Sequence, residues 1–552
     1  MSYKKSNKRK NNKKKKNKKR NQKKFKKKKI PISKKNSPKQ QPKKNKPNVK
    51  MIKEEDPFGD TFDQEPEMEL NEQSDELDFD GKLTTEEIEE KLRNLEMKNK
   101  EVYAKDLVEE EIEEELEKRQ QVYVPKKNGE ESVELEVNLE AYELYFVLKV
   151  EWPCLSFDFL KDDLGIVRSE FPMTTYMVTG TQSRKAEENS IMAMKLDQMY
   201  QTKFDQNENP LEDEDPNNFD DDPLIDMKKI PHIGTVNRIR SMPQQNNIVA
   251  AWSDQGQIGI YNLKKQIDAL DHTPKQRLTS NVLFQSKVHK DEGYALAWSP
   301  NEEGRLISGD CTGKIYLWLP HESTWVLNEK TSYQKSTESI EDLTFSPNEG
   351  NVFASCSVDR SIKIWDSRAK KCGLEIPNAH DSDVNVISWN KISDNLIASG
   401  GDDGILKVWD LAKIDQELKY FELEKKKQKR KKKKFQQPNI KPEVGFVWHS
   451  KPITSLEWNP FDETEIVVAS EDNQITIWDI SLEKDEEIEK ENQNEPEVPP
   501  QLLFIHQGQK SVKEVHWHPQ IPGLLASTAS DGFNLFLPIN LYKRNLNETN
   551  QK

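Results

Sequence analysis

The sequence predicts an all-β protein, a seven-bladed β-propeller preceded by an N-terminal helix and a long, charged, disordered N-terminal tail. The propeller is predicted first by repetition. An apolar strand that ends in Trp-Asp recurs as "IKIWD", "ILKVWD" and "ITIWD", each time after a second apolar strand. It is predicted also by spacing, because 47 residues separate Trp318 from Trp365 and 44 separate Trp365 from Trp409. A period of about 40–45 residues is typical of propeller blades built from four short strands.

The repeating units resemble the WD-repeat family. That family carries a His near the start of a unit, a Ser in the second strand, an Asp in the next turn and a Trp in the third strand. In the fifth unit these residues are His380, Ser399, Asp403 and Trp409. Such groups can bond to one another when buried, whereas a single unsatisfied one would cost about 1–3 kcal/mol. We therefore interpret this set as structural rather than as a metal or catalytic site.

The number of units gives the number of blades. Unit starts lie near His232, His289, Thr337, His380, His449 and His506. A divergent first unit at 153–199 makes seven blades, and a ring of six is the alternative if that unit packs outside. We expect the strand around Leu155–Phe159 to complete the last sheet, because closure removes an exposed strand edge. In the third unit Thr312 occupies the turn position of Asp403, so we expect that blade to depend more on packing.

Composition divides the chain into segments. Only 33% of the residues are hydrophobic and another 33% are charged, so a sizeable part of the chain cannot contribute to a core. The predicted segments are a basic disordered tail (1–50), an acidic, mostly disordered segment with possible helices (51–121), a lead-in with the N-terminal helix (122–152) and the propeller (153–540). Charged insertions at 205–226, 415–442 and 482–500 interrupt the propeller, and we expect them to be polar surface loops.

Positive charge is concentrated in two segments of an otherwise acidic chain. The 552 residues carry a net charge of −13, yet residues 1–50 hold 25 Lys and Arg without an acid, and residues 425–434 hold nine more. The remainder therefore carries −47, which suits a basic partner. Lys runs of this density are typical of nuclear import signals and bind nucleic acid only non-specifically. We therefore expect the nucleus and the nucleolus as the location.

No pattern in the sequence indicates catalysis or a bound cofactor. The chain has no GxSxG, P-loop or HExxH motif, and its four cysteines form no CxxC pair. His516 and His518 alternate along a predicted strand and should face opposite sides. No apolar run is long enough to span a membrane. We therefore expect a non-catalytic binding protein with no cofactor, no metal and no membrane contact.

The residues before the propeller predict an amphipathic helix over 138–149 that lies against the ring. Four apolar residues fall at helical spacing, namely Leu139, Tyr142, Tyr145 and Phe146. Asn138 is a suitable cap, and Trp152-Pro153 ends the helix. Residues 84–99 and the very acidic stretch 107–120 are further helix candidates.

Longer stretches carry a more specific resemblance. "YELYFVLKVEWPCLSFDFL", "GYALAWSPNEEGRLISGDC" and "LLFIHQGQKSVKEVHWHPQIPGLL" are similar to the glutamate-rich WD-repeat family of ribosome-assembly chaperones. The resemblance implies a role in ribosome biogenesis, with a basic large-subunit ribosomal protein (L-three) as the client and pre-ribosomal particles as partners. A WD-repeat substrate adaptor of a ubiquitin ligase is one alternative.

A neighbouring family, the histone-binding WD-repeat proteins, implies another alternative, a chromatin-assembly factor that binds core histones. In that family a helix and an acidic, proline-containing loop form the partner-binding groove. The resemblance places this groove at Leu139, Tyr142, Tyr145, Phe146, Glu495, Glu497, Pro499, Pro500, Leu502 and Phe504.

Overall fold

A computed structural model describes residues 137–202, 223–272, 279, 281–327, 332–369, 371–429, 440–483 and 498–544. Within these ranges the chain forms seven four-stranded antiparallel sheets, which confirms the predicted seven-bladed propeller. The predicted tail and acidic segment, residues 1–121, lie outside the described residues.

The strands follow one another regularly along the chain. The outer strand of the last blade is β1 (Tyr142–Leu148). Blade 1 contains β2 (Cys154–Leu160), β3 (Met173–Thr181), β4 (Ser190–Met199) and β5 (Leu224–Pro231), and blade 2 contains β6 (Val236–Met242), β7 (Gln245–Ser253), β8 (Gln257–Asn262) and β9 (Val282–Ser286). Blade 3 contains β10 (Ala295–Trp298), β11 (Leu306–Gly309), β12 (Ile315–His321) and β13 (Thr324–Leu327), and blade 4 contains β14 (Ile340–Phe345), β15 (Val352–Ser357), β16 (Ile362–Asp366) and β17 (Lys371–Ile376).

The remaining blades follow the same plan. Blade 5 contains β18 (Val384–Trp389), β19 (Leu396–Gly401), β20 (Ile405–Asp410) and β21 (Val444–Val447), and blade 6 contains β22 (Ile453–Trp458), β23 (Glu465–Ser470), β24 (Ile475–Asp479) and β25 (Leu502–His506). Blade 7 combines β26 (Glu514–Trp517), β27 (Leu525–Ala529) and β28 (Gly532–Pro538) with β1. Two helices, α1 (Lys264–Asp271) and α2 (Leu411–Lys429), join the third and fourth strands of blades 2 and 5, and residues 539–544 are helical.

Aromatic and aliphatic residues pack between neighbouring sheets and hold the ring together. One buried cluster joins Trp252 of blade 2 to Trp298 and Trp318 of blade 3, and another joins blades 5 and 6 through Trp458 and Trp478. In both clusters the aromatic that ends the first strand and the Trp of the third strand belong to the same blade, so together they supply one side of the interface. This shared interface explains why the two sequence elements recur together.

The predicted N-terminal helix is wrong, because these residues form strand β1. Asn138 caps only a short 3-10 turn, Leu139–Ala141, where its side chain accepts from the Glu140 amide at 3.0 Å. The following run, Tyr-Glu-Leu-Tyr-Phe-Val-Leu, pairs antiparallel with β28, and Tyr145 lies opposite Phe536. Aromatic and β-branched residues favour strands, and a short apolar run fits both helical and strand periodicity. Pairing with the otherwise unpaired edge of β28 stabilises the strand, so these residues form a strand and not a helix.

The strand predicted to close the ring is also wrong. Residues Leu155–Phe159 belong to β2, which pairs with β3 and is the inner strand of blade 1. Closure is made instead by β1, the outermost strand of blade 7. The chain therefore completes the last blade before it begins the first, and both ends of the propeller sequence share one sheet.

The insertions are only partly described. In 205–226, residues 224–226 already form the start of β5, and in 482–500 most residues lie outside the described ranges. The insertion at 415–442 was expected to be a surface loop, but its first part continues α2. The Asp410 carboxylate accepts from the Ala412 and Lys413 amides at 2.9 and 3.1 Å, and Ile414 is buried against the blade, so the helix is both capped and anchored.

Candidate functional site

The acid-rich turn of blade 5 is bound into the fold. His380 Nδ1 lies 2.9 Å from Asp403 Oδ1, its Nε2 lies 2.8 Å from Ser399 Oγ, and Trp409 Nε1 donates to the same hydroxyl at 2.8 Å. Burial opposes ionisation of Asp403, but its contacts with His380 and the hydrogen bonds from the Ile405 and Asp381 amides together outweigh burial and lower the pKa of this carboxyl. Gly404 in the turn has φ +69, and a Cβ there would lie 2.5 Å from the His449 carbonyl oxygen. The four polar groups satisfy one another, as a structural role requires.

Blade 3 carries the same arrangement, contrary to the expectation drawn from Thr312. His289 Nδ1 lies 2.9 Å from Asp310 Oδ2 and Nε2 lies 2.8 Å from Ser308 Oγ, to which Trp318 donates at 2.8 Å. The acid is supplied two residues earlier than in the aligned turn. A buried carboxylate needs only to reach the His ring, so its place in the turn can move.

The residues assigned to the partner-binding groove do not share one surface. Tyr142, Tyr145 and Phe504 meet between the outer strands of blades 6 and 7, where the Tyr142 and Phe504 rings are 5.3 Å apart. Tyr142 is buried, and its hydroxyl lies 2.8 Å from His506 Nδ1. Tyr145 and Phe504 remain half-buried at the surface. We call Tyr142, Tyr145 and Phe504 the aromatic corner.

The other assigned residues point elsewhere. Phe146 packs into the interface of blades 7 and 1, and Leu502 into that of blades 5 and 6. Leu139 is 37% exposed on the 3-10 turn, and Pro499 accepts from the Leu502 amide at 2.9 Å. Pro500 is exposed beside it, whereas Glu495 and Glu497 lie outside the described residues. Neighbouring side chains of a strand face opposite sides, so Tyr145 and Phe146 cannot line one groove as they would on a helix.

A network of buried charges surrounds the axis of the ring. Glu514 of blade 7 accepts hydrogen bonds from Arg240, at 2.7 Å, and from Arg238, both of which belong to blade 2. His516 Nδ1 lies 3.0 Å from Glu457 of blade 6. Burial would raise the pKa of Glu514, but the guanidiniums hold it well below its usual range. Burial would likewise lower the pKa of His516, but Glu514 and Glu457 raise it to about 9, so this ring is a cation at neutral pH.

His518 is not part of this network. Its Nε2 lies 2.9 Å from the Thr175 hydroxyl, its ring packs 4.6 Å from that of Phe159, and burial holds its pKa well below the usual range. Among the residues that the structure describes, no group of three or more His, Cys, Asp or Glu could hold a metal ion. In the same part of the chain, no helix is long and apolar enough to cross a membrane.

A group of carboxylates lies at one end of blades 3, 4 and 5. Glu292, Glu341 and Asp383 stand where the chain enters the inner strands, and Asp402 stands in the turn between β19 and β20. Antiparallel pairing places all four positions at the same end of their sheets. We call these four residues the acidic rim. None is fully buried.

The carboxylates of the acidic rim affect one another. Burial and the neighbouring carboxylates, Asp383 among them, raise the pKa of Glu341 despite Arg238, and burial and Asp402 raise that of Asp383. Two amides also contact the rim, because Asn237 donates to Glu292 at 3.0 Å and Asn385 donates to Asp402 at 2.8 Å. Burial is the largest cause of both shifts and the neighbouring carboxylates add to it, so an added cation would favour the charged forms.

The acidic rim was not predicted from the sequence because its members come from three blades. The sequence does contain a pattern that indicates it, since an acid stands at or just before the inner strand in "KDEGYALAW", "IEDLTF" and "DSDVNVISW". It becomes meaningful only once these strands are placed side by side.

Comparisons with known proteins agree with this architecture. A family described as histone-binding protein RBBP4, or the corresponding component of the CAF1 complex, matches residues 133–200. The WD domain, G-beta repeat, matches residues 328–366, 371–410 and 441–479.

Relatives that match nearly three quarters of the chain define the family. The chain is 42% identical over 424 residues to glutamate-rich WD repeat-containing protein 1 of Dictyostelium discoideum. This match covers 74% of this chain and 82% of that protein. It is 36% identical over 409 residues to ribosome assembly protein rrb1 of Schizosaccharomyces pombe, a match that covers 72% of this chain and 80% of that protein. Histone acetyltransferase type B subunit 2 of Candida glabrata is more distant, at 25% identity over 398 residues, covering 71% and 83%. The chain therefore belongs to the WD-repeat family of rrb1 and glutamate-rich WD repeat-containing protein 1.

Proposed function

We propose that the protein acts in ribosome assembly as a non-catalytic chaperone that holds a basic large-subunit ribosomal protein, L-three being the first candidate. The relative at 36% identity, ribosome assembly protein rrb1, supports the process through its printed name. The observation that carries the chaperone role is the acidic rim, which gathers four carboxylates at one end of blades 3, 4 and 5 and so suits a cationic ligand. The nucleus and nucleolus are the proposed location, and pre-ribosomal particles the proposed destination.

Charge explains capture better than it explains tight holding. An isolated exposed ion pair contributes only about 0–1 kcal/mol, but several carboxylates facing one client raise the association rate. The remaining acidic charge of the chain acts in the same direction. A client rich in Lys and Arg would thus be captured quickly and kept from RNA.

We propose the aromatic corner as a second, apolar contact with the client. Tyr145 and Phe504 are half-buried on adjacent outer strands. In the sequence, Glu495 and Glu497 come shortly before the strand that holds Phe504. Buried aromatics are frequent anchors of interfaces and act mainly on dissociation. Phe146 and Leu502 are part of blade interfaces, so the proposed contact is narrower than the groove taken from the resemblance.

Core histones are the second candidate client, because the histone-binding family matches residues 133–200 and histones are also basic. Ribosome assembly protein rrb1 is 36% identical over 72% of the chain, whereas histone acetyltransferase type B subunit 2 is only 25% identical, which favours a ribosomal client. A ubiquitin-ligase adaptor would instead recover ligase subunits with the purified protein.

Titrating the purified full-length protein with ribosomal protein L-three and, separately, with histones H3–H4 tests the proposal. Glu341→Gln with Asp383→Asn should weaken binding of the ribosomal protein by about tenfold at low salt. The matched control is Glu349→Gln with Asp394→Asn, two exposed acids of blades 4 and 5 at the opposite end of the sheets. Equal loss in both double variants would show that only net charge matters. Preference for histones in wild type would make the histone candidate the better one.

A further inference from the structure

Exposed aliphatic side chains are concentrated at one end of blade 1. The loop between β2 and β3 carries Leu164, Ile166 and Val167, which are 57%, 77% and 50% exposed. Tyr200 and Leu224, beyond β4 and at the start of β5, are 40% and 57% exposed. We call these five residues the blade-1 tip.

The five residues of the blade-1 tip are close neighbours by topology. Met173 of β3 pairs with Met199 of β4, and Asp197 of β4 pairs with Leu224 of β5, so the loop and both strand ends lie at the same end of one sheet. Four strands about 4.8 Å apart span about 15 Å, which is the length of about ten residues of helix. Contiguous apolar surface of this kind marks docking sites on soluble proteins.

The loop of the blade-1 tip is held rigidly. The Asp162 carboxylate accepts from Arg168 Nη2 and from the Leu164 amide, both at 2.9 Å. Gln520, a buried residue of blade 7, accepts from the Asp162 amide at 2.8 Å and donates to the Gly165 carbonyl at 2.9 Å. These hydrogen bonds hold the loop in one arrangement from below, which lowers the entropic cost of binding through its apolar side chains.

The backbone of the loop supports the same interpretation. Val167 has φ 58, in the left-handed region that β-branched residues rarely adopt. This conformation directs a valine side chain outward at an energetic cost, and costs of this kind persist where a function needs them.

The charge around the blade-1 tip indicates the chemistry of its ligand. Asp163 and Glu170 are exposed in the loop. Residues 203–222, which connect Tyr200 to Leu224, contain nine Asp and Glu and a single Lys. An apolar surface in a negative field suits a segment with an apolar stripe flanked by Lys or Arg.

Segments of the same chain do not have this chemistry. Residues 1–50 and 425–434 are basic but hold almost no apolar side chains. The helix candidates 84–99 and 107–120 have apolar positions but more acids than bases. The ligand is therefore expected from another protein.

We propose that the blade-1 tip is a docking surface for a cationic amphipathic helix of a partner protein. It lies at the end of the sheets where inner strands finish, whereas the acidic rim lies where they begin. It is thus a second interaction surface, and it does not depend on which client the acidic rim binds.

The experiment measures binding of a labelled Leu/Lys peptide of about 18 residues, designed as an amphipathic helix, to the full-length protein by fluorescence anisotropy. Leu164→Ser with Ile166→Ser should weaken binding about tenfold without a change in Tm, because both side chains are exposed. Ile392→Ser is the matched control, since Ile392 is 50% exposed on the corresponding loop of blade 5. It should leave binding unchanged. If the double variant unfolds early, Ile166→Ser alone makes the same test.

Several results would overturn the proposal. These are no binding by wild type, equal binding by the double variant, and equal binding of a Leu/Glu peptide or of a scrambled Leu/Lys peptide. Equal binding of the scrambled Leu/Lys peptide would mean that the charge of the peptide, without an apolar stripe, is sufficient for binding. A dimer of the free protein in sedimentation that the double variant abolishes would instead identify a second copy as the occupant. A failure of the ribosomal client to bind would leave this measurement unaffected.

Discussion

Blades 5 and 7 each contact a histidine that precedes their inner strand in the sequence, and the two histidines are held by different partners. His380 of blade 5 bonds to the Asp403 carboxylate and to Ser399. His506, the last residue of β25 in blade 6, contacts blade 7. Among the described residues its ring has no carboxylate partner; it bonds to the Tyr142 hydroxyl at 2.8 Å and to Asn534 at 3.1 Å, and it stacks on Phe536 at 4.0 Å. Burial lowers the pKa of His506 to about 3, so this ring stays neutral. Where a blade has this histidine, neutral partners can therefore satisfy it as well as a carboxylate can.

The difference follows from how each blade is assembled. Blade 5 comes from one continuous stretch, so its turn can supply an acid close to the ring. Blade 7 is closed by β1 from the N-terminal side of the propeller, and the partner of its histidine arrives with that strand. The neutral contact therefore joins the two ends of the propeller sequence.

The largest expected effect is in blade 5. Trp409→Ala removes a buried indole that donates to Ser399, and such truncations cost about 3–5 kcal/mol of unfolding free energy. Equilibrium unfolding in denaturant measures this loss of unfolding free energy. An unchanged midpoint together with lost client binding would mean that this turn is a binding site after all.

The charge network of blade 7 predicts a dependence of stability on pH. His516 has a pKa of about 9 in the folded protein and about 6.5 when unfolded, so its contribution is complete below pH 6.5 and is lost as the pH rises through 9. The loss amounts to about 3 kcal/mol. Unfolding midpoints of wild type should therefore fall between pH 7 and 10, and His516→Gln should flatten the curve. If the unfolding midpoint of His516→Gln falls with pH as steeply as that of wild type, groups other than His516 cause the pH dependence of stability.

A smaller effect is expected from Asp403→Asn. The amide keeps the size of the side chain but removes the charge that faces His380, which should cost about 1–3 kcal/mol. Asp402→Asn is the control in the same turn, because Asp402 is exposed and contacts Asn385 instead. Equal destabilisation by both changes would contradict the assignment of the blade 5 bond to Asp403.

The repeated parts of the molecule could be predicted from sequence, and the unique junctions could not. Blade 5 repeats a pattern found in its neighbours, so its strands and the pairing of His380 with Asp403 follow from one unit. The β1 strand has no such precedent. Its apolar residues fit helical spacing, and only the free edge of β28, nearly 400 residues away, makes it a strand. The acidic rim was missed for the same reason, because it exists only after blades are placed side by side.

The last prediction tests the neutral contact of blade 7 directly. Tyr142→Phe removes one hydroxyl and leaves His506 Nδ1 without that partner inside the fold, at a cost of about 1 kcal/mol. Neither ring titrates between pH 7 and 9, because burial raises the pKa of Tyr142 and lowers that of His506. The difference from wild type should therefore be the same at pH 7 and pH 9.

Tyr145→Phe is the control, since the Tyr145 hydroxyl makes only a 3.4 Å contact with Asn534 at a half-buried position, and it should change stability less. If instead the cost of Tyr142→Phe varies with pH over this range, then His506 carries a proton in the folded state. Blade 7 would then depend on charge in the way that blade 5 does, and the contrast between the two blades would disappear.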